Sequence, residues 1–338
     1  IIRFQVNSFT DEKTLQQIKE IKILGKNEKL FPIQFQNSKN LEETLARFIS
    51  SRKVPQNRSF AKKIIQETGN DDFMGYIDIS FGLSLNDTLW IVPNEKEKLK
   101  WEKVNLYKNP FSERLQMASF GLGYDGSSAY KISPEFTTNG MLKKCWIKED
   151  DGIYLLKTNS EKGFDRNTQH LEVFSEYYIS QIAKLFKKNS VEYDIVDFKE
   201  QLCSKCKLFT SEKQGYLPIM AFLSEDELRQ GEKILSDRTH FINKAIEIYG
   251  KENYEDLMLF DSIIGNRDRH LGNFGMLVDN HAFEVIKPAP IFDNGESVLN
   301  YYNFSKNLDF GMYASRTNSL GQRFSDVFKT YVDKRHQK

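Results

Sequence analysis

Apolar residues recur along this chain at changing periods, and the changes divide it. From Leu41 to Ile49 they fall at helical spacing, a basic amphipathic stretch follows from Phe60 to Ile65, and Tyr76 to Phe81 is patterned as a strand. None of these stretches carries residues suited to catalysis. Asn109-Pro110 and then Gly121 to Ser128 form a turn-rich junction, and turn formers at that density mark a boundary. Beyond Lys131 the apolar runs are short. Met141 to Ile147 and Ile153 to Lys157 flank the turn Glu149-Asp150-Asp151-Gly152, which predicts a β-hairpin. Leu171 to Phe186 carries Val173, Tyr177, Ile182 and Phe186 near helical spacing and predicts one long helix. Lys207 to Thr210 and Tyr216 to Phe222 are further strand candidates. From Glu225 onward the pattern is mainly helical, as in Glu255 to Ile264, interrupted by Gly275 to Val278 and Phe283 to Ile286. The pattern predicts an α+β fold in three parts: an N-terminal α+β region at 1–115, a β-rich lobe at 116–223 and a mainly helical lobe at 224–338. No internal repeat or low-complexity segment is visible.

Composition narrows the functional classes. With 338 residues, 39% of them hydrophobic, the chain can bury one large or two moderate cores. Lys and Arg number 48 against 47 Asp and Glu, so no global positive field draws it to nucleic acid or to an anionic membrane. No apolar run approaches the ~18 residues that span a bilayer, and Ile1 to Phe9 lacks the layout of a signal peptide, so the chain reads as soluble. It starts with Ile rather than Met, which points to a trimmed or partial sequence. Three cysteines, Cys145, Cys203 and Cys206, are too few for a disulfide framework and suit a reducing compartment. The Cys203/Cys206 pair lacks the further ligands a zinc site needs and is expected to be two ordinary thiols.

The densest polar cluster in an apolar context runs from Gly265 to Gly275, as Gly-Asn-Arg-Asp-Arg-His-Leu-Gly-Asn-Phe-Gly. Gly265-Asn266 suits a helix stop, and the loop that follows leads into a strand. Phosphoryl transfer needs a carboxylate to orient the attacking hydroxyl and oxygen ligands to hold Mg²⁺ against phosphates. Asp268 and Asn273, four residues between them, supply one of each. One hairpin later, Pro290-Ile291-Phe292-Asp293-Asn294-Gly295 places a second carboxylate, Asp293, at the end of an apolar run. Singly, these residues suit ordinary surface turns; together they suit a catalytic loop and a metal aspartate. Asp309-Phe310-Gly311 spells a literal DFG but lies too far downstream and is expected to be a turn. His270 has no second His at metal spacing and is expected to brace Asp268 or contact phosphate.

The same chemistry needs a strand lysine for the phosphates, a helix glutamate to hold it and a turn of backbone N–H groups. Lys157 ends the second hairpin strand, and Glu176 lies on the predicted helix after it. Gly121 to Gly126 fits GxGxxG but lacks the flanking strand and helix of a dinucleotide fold. The segment Ser133 to Gly140, with Phe136, Thr137 and Thr138, immediately precedes the hairpin and is the better phosphate-loop candidate. The adenine is expected against Pro218 to Leu223, on the main chain of Met220, Ala221 and Phe222.

Over Ser133 to Ser297 these motifs resemble the HipA-like bacterial Ser/Thr kinases, in the family's order: Ser-Pro-Glu-Phe-Thr-Thr-Asn-Gly, Leu142-Lys143-Lys144 with Trp146, Lys157, Glu176, the Asp268 segment and Pro-Ile-Phe-Asp-Asn-Gly. A looser likeness surrounds Ser84-Leu85-Asn86-Asp87. The resemblance implies a two-lobed protein-kinase-like fold, ATP with Mg²⁺, Asp268 as catalytic base and Asn273 and Asp293 as metal ligands. It also implies a protein substrate with a Ser or Thr hydroxyl and autophosphorylation that maps onto Ser133, with Thr137 and Thr138 as nearby acceptors. A bacterial cytoplasmic protein is implied, with export into host cells left open; nothing marks the DNA-binding partnership of the toxin HipA. A small-molecule kinase of the aminoglycoside-phosphotransferase type and an ATP-binding pseudokinase or interaction module are the alternatives.

Overall fold

The computed structural model describes residues 1–10, 17–36, 38–52, 77–122, 132–138, 140, 142–161, 170–228, 238–297, 300 and 310–336. The basic stretch Phe60 to Ile65, most of Gly121 to Gly126, Asn139 and Asp309 lie outside these. The fold mixes helix and sheet, as the pattern predicts.

The N-terminal region opens with an antiparallel pair, β1 (Ile2–Thr10) and β2 (Gln17–Lys26), which sequence reasoning missed. Helix α1 (Leu41–Ser51) packs near it, capped by Asn40, whose side chain accepts the Glu43 N–H. Phe35, Leu45, Ile49 and Ile77 close a small core here. The strand predicted from Tyr76 to Phe81 is instead a helical turn, Ile77–Ser80, because Phe81 and Gly82 take left-handed backbone (φ 52° and 57°) and fold the chain back on itself. Helix α2 (Glu113–Ser119) follows, capped by Ser112.

The predicted hairpin is present as β3 (Lys144–Glu149) and β4 (Gly152–Thr158). After α3 (Glu172–Leu185) come β5 (Tyr193–Phe198) and β6 (Gln201–Lys207), neither of them expected, and the strand candidate Lys207 to Thr210 begins only where β6 ends; the sheet order is β3-β4-β6-β5, antiparallel throughout. Register fixes the two faces. Lys157 pairs with Lys144 and Ser204, and Leu155 pairs with Trp146 and Cys206, so all of these share one face. The other face buries Cys145, Leu156 and Cys203 beneath Phe120. All three thiols are free and buried, and burial pushes that of Cys206 up to about 12.

The chain leaves this sheet at Lys207 and enters a second one, β7 (Gln214–Pro218), β8 (Gly275–Asp279) and β9 (Val285–Pro288), in that order. The strand candidate Tyr216 to Phe222 therefore splits: Pro218 ends β7, and Ile219–Phe222 is a 3₁₀ turn. Helices α4 (Thr239–Tyr249), α5 (Lys251–Ile264) and α6 (Phe324–Tyr331) complete the helical part. Buried residues cover nearly every side of α5, from Tyr254 through Leu257, Met258, Leu259 and Phe260 to Ile264, and α3 adds Ile179 and Ala183 to the same core. Among the described residues no helix is long and apolar enough to cross a membrane.

Phe260 is 1% exposed at the middle of this core. Phe260→Ala should lower unfolding free energy by about 3–5 kcal/mol through lost transfer energy and a residual cavity, measured by urea denaturation.

Candidate active site

Lys157 is placed by β4 and Glu176 by the first turns of α3, and the two meet: Lys157 Nζ lies 2.7 Å from Glu176 Oε1. The same ammonium lies 2.5 Å from Asp293 Oδ1. Asp293 follows β9 with left-handed backbone, φ 61°, a strained state for a non-glycine residue, and it is held from both sides. Its N–H reaches Tyr193 Oη at 3.4 Å, and the next N–H, of Asn294, donates to Glu176 Oε2 at 2.8 Å. One glutamate thus grips the lysine with one oxygen and the Asp293 segment with the other.

Burial opposes charge on both Lys157 and Asp293, yet each stabilises the other. Asp293 and Glu176 raise the lysine above its ordinary value, and Lys157, Lys144 and Arg269 hold the Asp293 carboxyl well below the usual carboxylate range. Lys144 was mentioned in sequence only as part of a motif. It is buried, pairs across the sheet with Lys157, and its ammonium lies where a side chain at Gly140 (φ 93°) would stand.

The catalytic-loop candidate begins where α5 stops at Gly265, φ 67°, as expected. Asn266 Oδ1 accepts the Asp268 N–H at 3.0 Å, while Asn273 Nδ2 donates to Asp268 O at 2.7 Å and Asn273 Oδ1 accepts the His270 N–H at 3.0 Å. Asp268 is therefore fixed by its main chain and keeps its carboxylate for other work. Burial raises its carboxyl, the negative charge of Asp293 adds to that, and His270 and Arg269 pull it back. His270 is exposed and turns its Nδ1 toward the Gly272 N–H at 3.0 Å.

Arg269, to which the sequence pattern assigns no role, is completely buried. It donates Nε and Nη2 to the two oxygens of Asp261 on α5 at 2.8 and 3.0 Å, Nη1 to the carbonyls of Asn273 and Phe292 at 3.0 and 2.9 Å, and Nη2 to Asn294 Oδ1 at 2.8 Å. A guanidinium has the planar fork for this task and a lysine does not. It ties the Asp268–Asn273 loop to the Asp293 segment. The signal in sequence was Asp261, a carboxylate inside the apolar run Leu257 to Ile264 near the end of the helix.

Two sets of expected residues have polar groups that are already engaged. Ser133, Phe136 and Thr137 are buried in a 3₁₀ turn, and their hydroxyls already have partners: Ser133 Oγ donates to Glu135 and accepts from Ser112 N, and Thr137 Oγ1 donates to Leu83 O. Glu135, itself fully buried, staples the turn to Trp146 N at 2.8 Å. Thr138 is half-buried, donating to Pro134 O and accepting from Trp146 Nε1. As folded, Ser133 cannot receive a phosphate without the turn leaving its seat. In the segment expected to meet adenine, two N–H groups are already engaged. The N–H groups of Ile219 and Met220 are spent on Phe274 O and Leu271 O, both at 3.0 Å, so the Met220-Ala221-Phe222 turn props the catalytic loop from beneath. The passage between the two sheets, 208–213, leaves β6 directly beside Leu155 and Cys206 on the Lys157 face.

Among the described residues no three His, Cys, Asp or Glu side chains cluster as a metal cage. One carboxylate, Asp293, and one carboxamide oxygen, Asn273 Oδ1, with a second lone pair, suit Mg²⁺ delivered with phosphates, which takes few protein ligands.

The curated serine/threonine-protein kinase CtkA of Helicobacter pylori is 25% identical over 184 residues, 51% of each chain. The chain resembles a HipA-like kinase. It spans about half the length of the curated relative it matches. The solved structure of the proinflammatory kinase CtkA from Helicobacter pylori is 20% identical over 48% of this chain and 58% of its own, with a TM-score of 0.40. HipA of Shewanella oneidensis, solved with HipB and operator DNA, is 11% identical over 87% of this chain and 76% of its own, with a TM-score of 0.49. No family model matches the chain.

Arg269→Met should destabilise the fold by about 3–5 kcal/mol at neutral pH, because it leaves Asp261 buried and unpaired. Burial already raises the Asp261 carboxyl, and losing the guanidinium raises it further. The penalty exists only while Asp261 is ionised in the variant, so it should shrink as pH falls. Chemical denaturation at pH 7.5 and pH 5 would check this; a deficit that grew in acid would contradict it.

Proposed function

We infer that this chain is an ATP-dependent protein kinase that transfers the γ-phosphoryl group to a Ser or Thr hydroxyl. The observation that carries the reading is the convergence on Lys157 of Glu176 from α3 and Asp293 from the segment after β9. A strand lysine held by a helix glutamate next to a metal-competent aspartate is the arrangement that phosphoryl transfer requires. The arginine-pinned loop beside it carries Asp268 and Asn273.

In this reading Lys157 and Lys144 neutralise phosphate oxygens as negative charge shifts toward the leaving group. Asp268, fixed through its own N–H and carbonyl, accepts a hydrogen bond from the acceptor hydroxyl and aims it for in-line attack. Asn273 and Asp293 would hold Mg²⁺, which supplies charge neutralisation across the phosphates. The 208–213 passage is where the base would meet main-chain groups. Positioning and preorganised charge supply most of the acceleration. The preference for a protein hydroxyl draws on the likeness to CtkA, itself a serine/threonine-protein kinase. Self-phosphorylation at Ser133 would need the Ser133–Phe136 turn to swing out, whereas Thr138 is already partly exposed.

Asp268→Ala should lower transfer of labelled phosphate from Mg-ATP by at least about 10²-fold while leaving the circular dichroism spectrum and melting temperature of the parent. Mass spectrometry of the parent after Mg-ATP would locate the modified hydroxyl. Full labelling by the variant would remove Asp268 from the mechanism.

A further inference from the structure

Residues 83–87, which include the Ser84-Leu85-Asn86-Asp87 motif, contribute nothing to the chemistry above, yet they touch three separate stretches of the chain near it. Three main-chain carbonyls make the contacts. Leu83 O accepts from Thr137 Oγ1 at 2.8 Å, in the turn that precedes β3. Leu85 O accepts from Thr210 Oγ1 at 2.5 Å, in the passage between the two sheets. Asn86 O accepts from Tyr216 N at 2.7 Å, on β7 of the second sheet.

The loop that offers these carbonyls is rigid for reasons of its own. Ser84 Oγ accepts the Asn86 N–H at 3.1 Å, and Asp87 Oδ1 accepts the Leu89 N–H at 2.8 Å. Asp87 Oδ2 pairs at 2.5 Å with Arg52 at the end of α1, and both side chains are nearly water-free. Tyr107 Oη adds a second donor to Leu85 O at 3.0 Å. The rest of the N-terminal region grips the passage and the chain beyond β7: Trp101 Nε1 and Lys108 Nζ both reach Glu212, at 3.3 and 2.8 Å, and Arg47 and Thr44 on α1 hold Leu223 O and Glu225 Oε1 at 2.8 and 2.9 Å.

We propose that residues 83–87 form a clip that sets the opening of the cleft by fixing the 208–213 passage against both sheets, with Thr210 and Gly215 as positioning residues. Two sheets connected along the chain by one short segment, and touching elsewhere through Asn189–Val191 and Ile291, can rock about that segment. A segment held at 210 and 216 by one external, internally braced loop, and at 212 by Trp101 and Lys108, has little freedom to do so. Gly215 is the place where the clip seats. A side chain there would come within 2.7 Å of Asn86 O and 2.5 Å of Asn280 Oδ1, so even a methyl group would lift the loop. The effect on ligand binding rests on the reading of the cleft as a nucleotide site; the mechanical role does not.

The test compares the 338-residue parent with Thr210→Val, Thr210→Ser and Gly215→Ala by hydrogen exchange and by calorimetric titration with Mg-ATP. Thr210→Val keeps shape and removes the donor, while Thr210→Ser restores it. The expected result is faster exchange confined to 83–89 and 208–216 in Thr210→Val and Gly215→Ala, parental exchange in Thr210→Ser, and roughly three- to tenfold weaker nucleotide binding only in the first two. Unchanged exchange in both lesion variants would overturn the clip, and so would a uniform loss of protection across the whole chain, which marks a merely structural role. A parent that fails to bind Mg-ATP would defeat the nucleotide reading instead, and the exchange data alone would then decide the clip.

Discussion

Lys157 carries an ammonium group to a place with almost no water, and the arrangement around the cleft follows from matching it. Its side chain is 8% exposed, and Glu176, the nearer carboxylate by sequence, is 1% exposed. Dehydrating either ion alone would cost several kcal/mol, so neither position is tenable without the other. The match also has a directional content. Glu176 uses its second oxygen on Asn294 N, so α3 can hold the lysine properly only when the Asp293 segment is seated. A helix, a strand and a distant loop therefore share one electrostatic condition. Satisfying it brings Asp293 to the lysine at the cost of a left-handed backbone that a non-glycine residue adopts reluctantly.

Arg269 does for the lower part of the site what Lys157 does for the upper part. Each buried cation joins segments that local structure alone would leave independent, and Asn294 meets both systems: its N–H serves Glu176 and its side-chain oxygen serves Arg269. The two networks are consequently one. Displacement of the Asp293 segment would disturb the loop that carries Asp268 through Phe292 O and Asn294 Oδ1, and this coupling comes from hydrogen bonds with defined geometry rather than from proximity.

The parts legible in sequence were those with a local cause. The β3–β4 hairpin followed from two apolar runs around an acidic glycine turn, α3 from helical spacing, and the stop at Gly265 from a residue tolerant of positive φ. Lys157, Glu176 and Asp293 stand out as candidates because phosphoryl transfer needs those residue types in that order, and the three side chains do meet. The misses had non-local causes. Nothing in residues 77–81 announces that Phe81 and Gly82 both turn left-handed, and nothing in Pro218 to Phe222 reveals that its N–H groups serve carbonyls some fifty positions away. Ser133 was read as a presented hydroxyl, but Glu135 two residues on is a buried acceptor that draws it inward. Arg269 carries no sequence signal of burial of its own, because one sequence cannot show that Asp261 points at it from the preceding helix.

The N-terminal region shows the same limit from the other side. Its sequence carries no chemistry, so residue-type reasoning had nothing to seize beyond a short polar motif, yet its carbonyls reach three separate stretches around the cleft. Carbonyl acceptors are invisible in sequence because every residue has one. What can be read is the set of donors and the space left for the approach: threonines at 137 and 210 that are buried without being apolar, and a glycine at 215 on a strand, where glycine is otherwise unfavourable. A strand glycine beside a buried threonine is explained by close backbone approach more economically than by chance. On that argument the region outside the chemistry is specified at the donors it contacts, and the residues that define its role lie largely outside it.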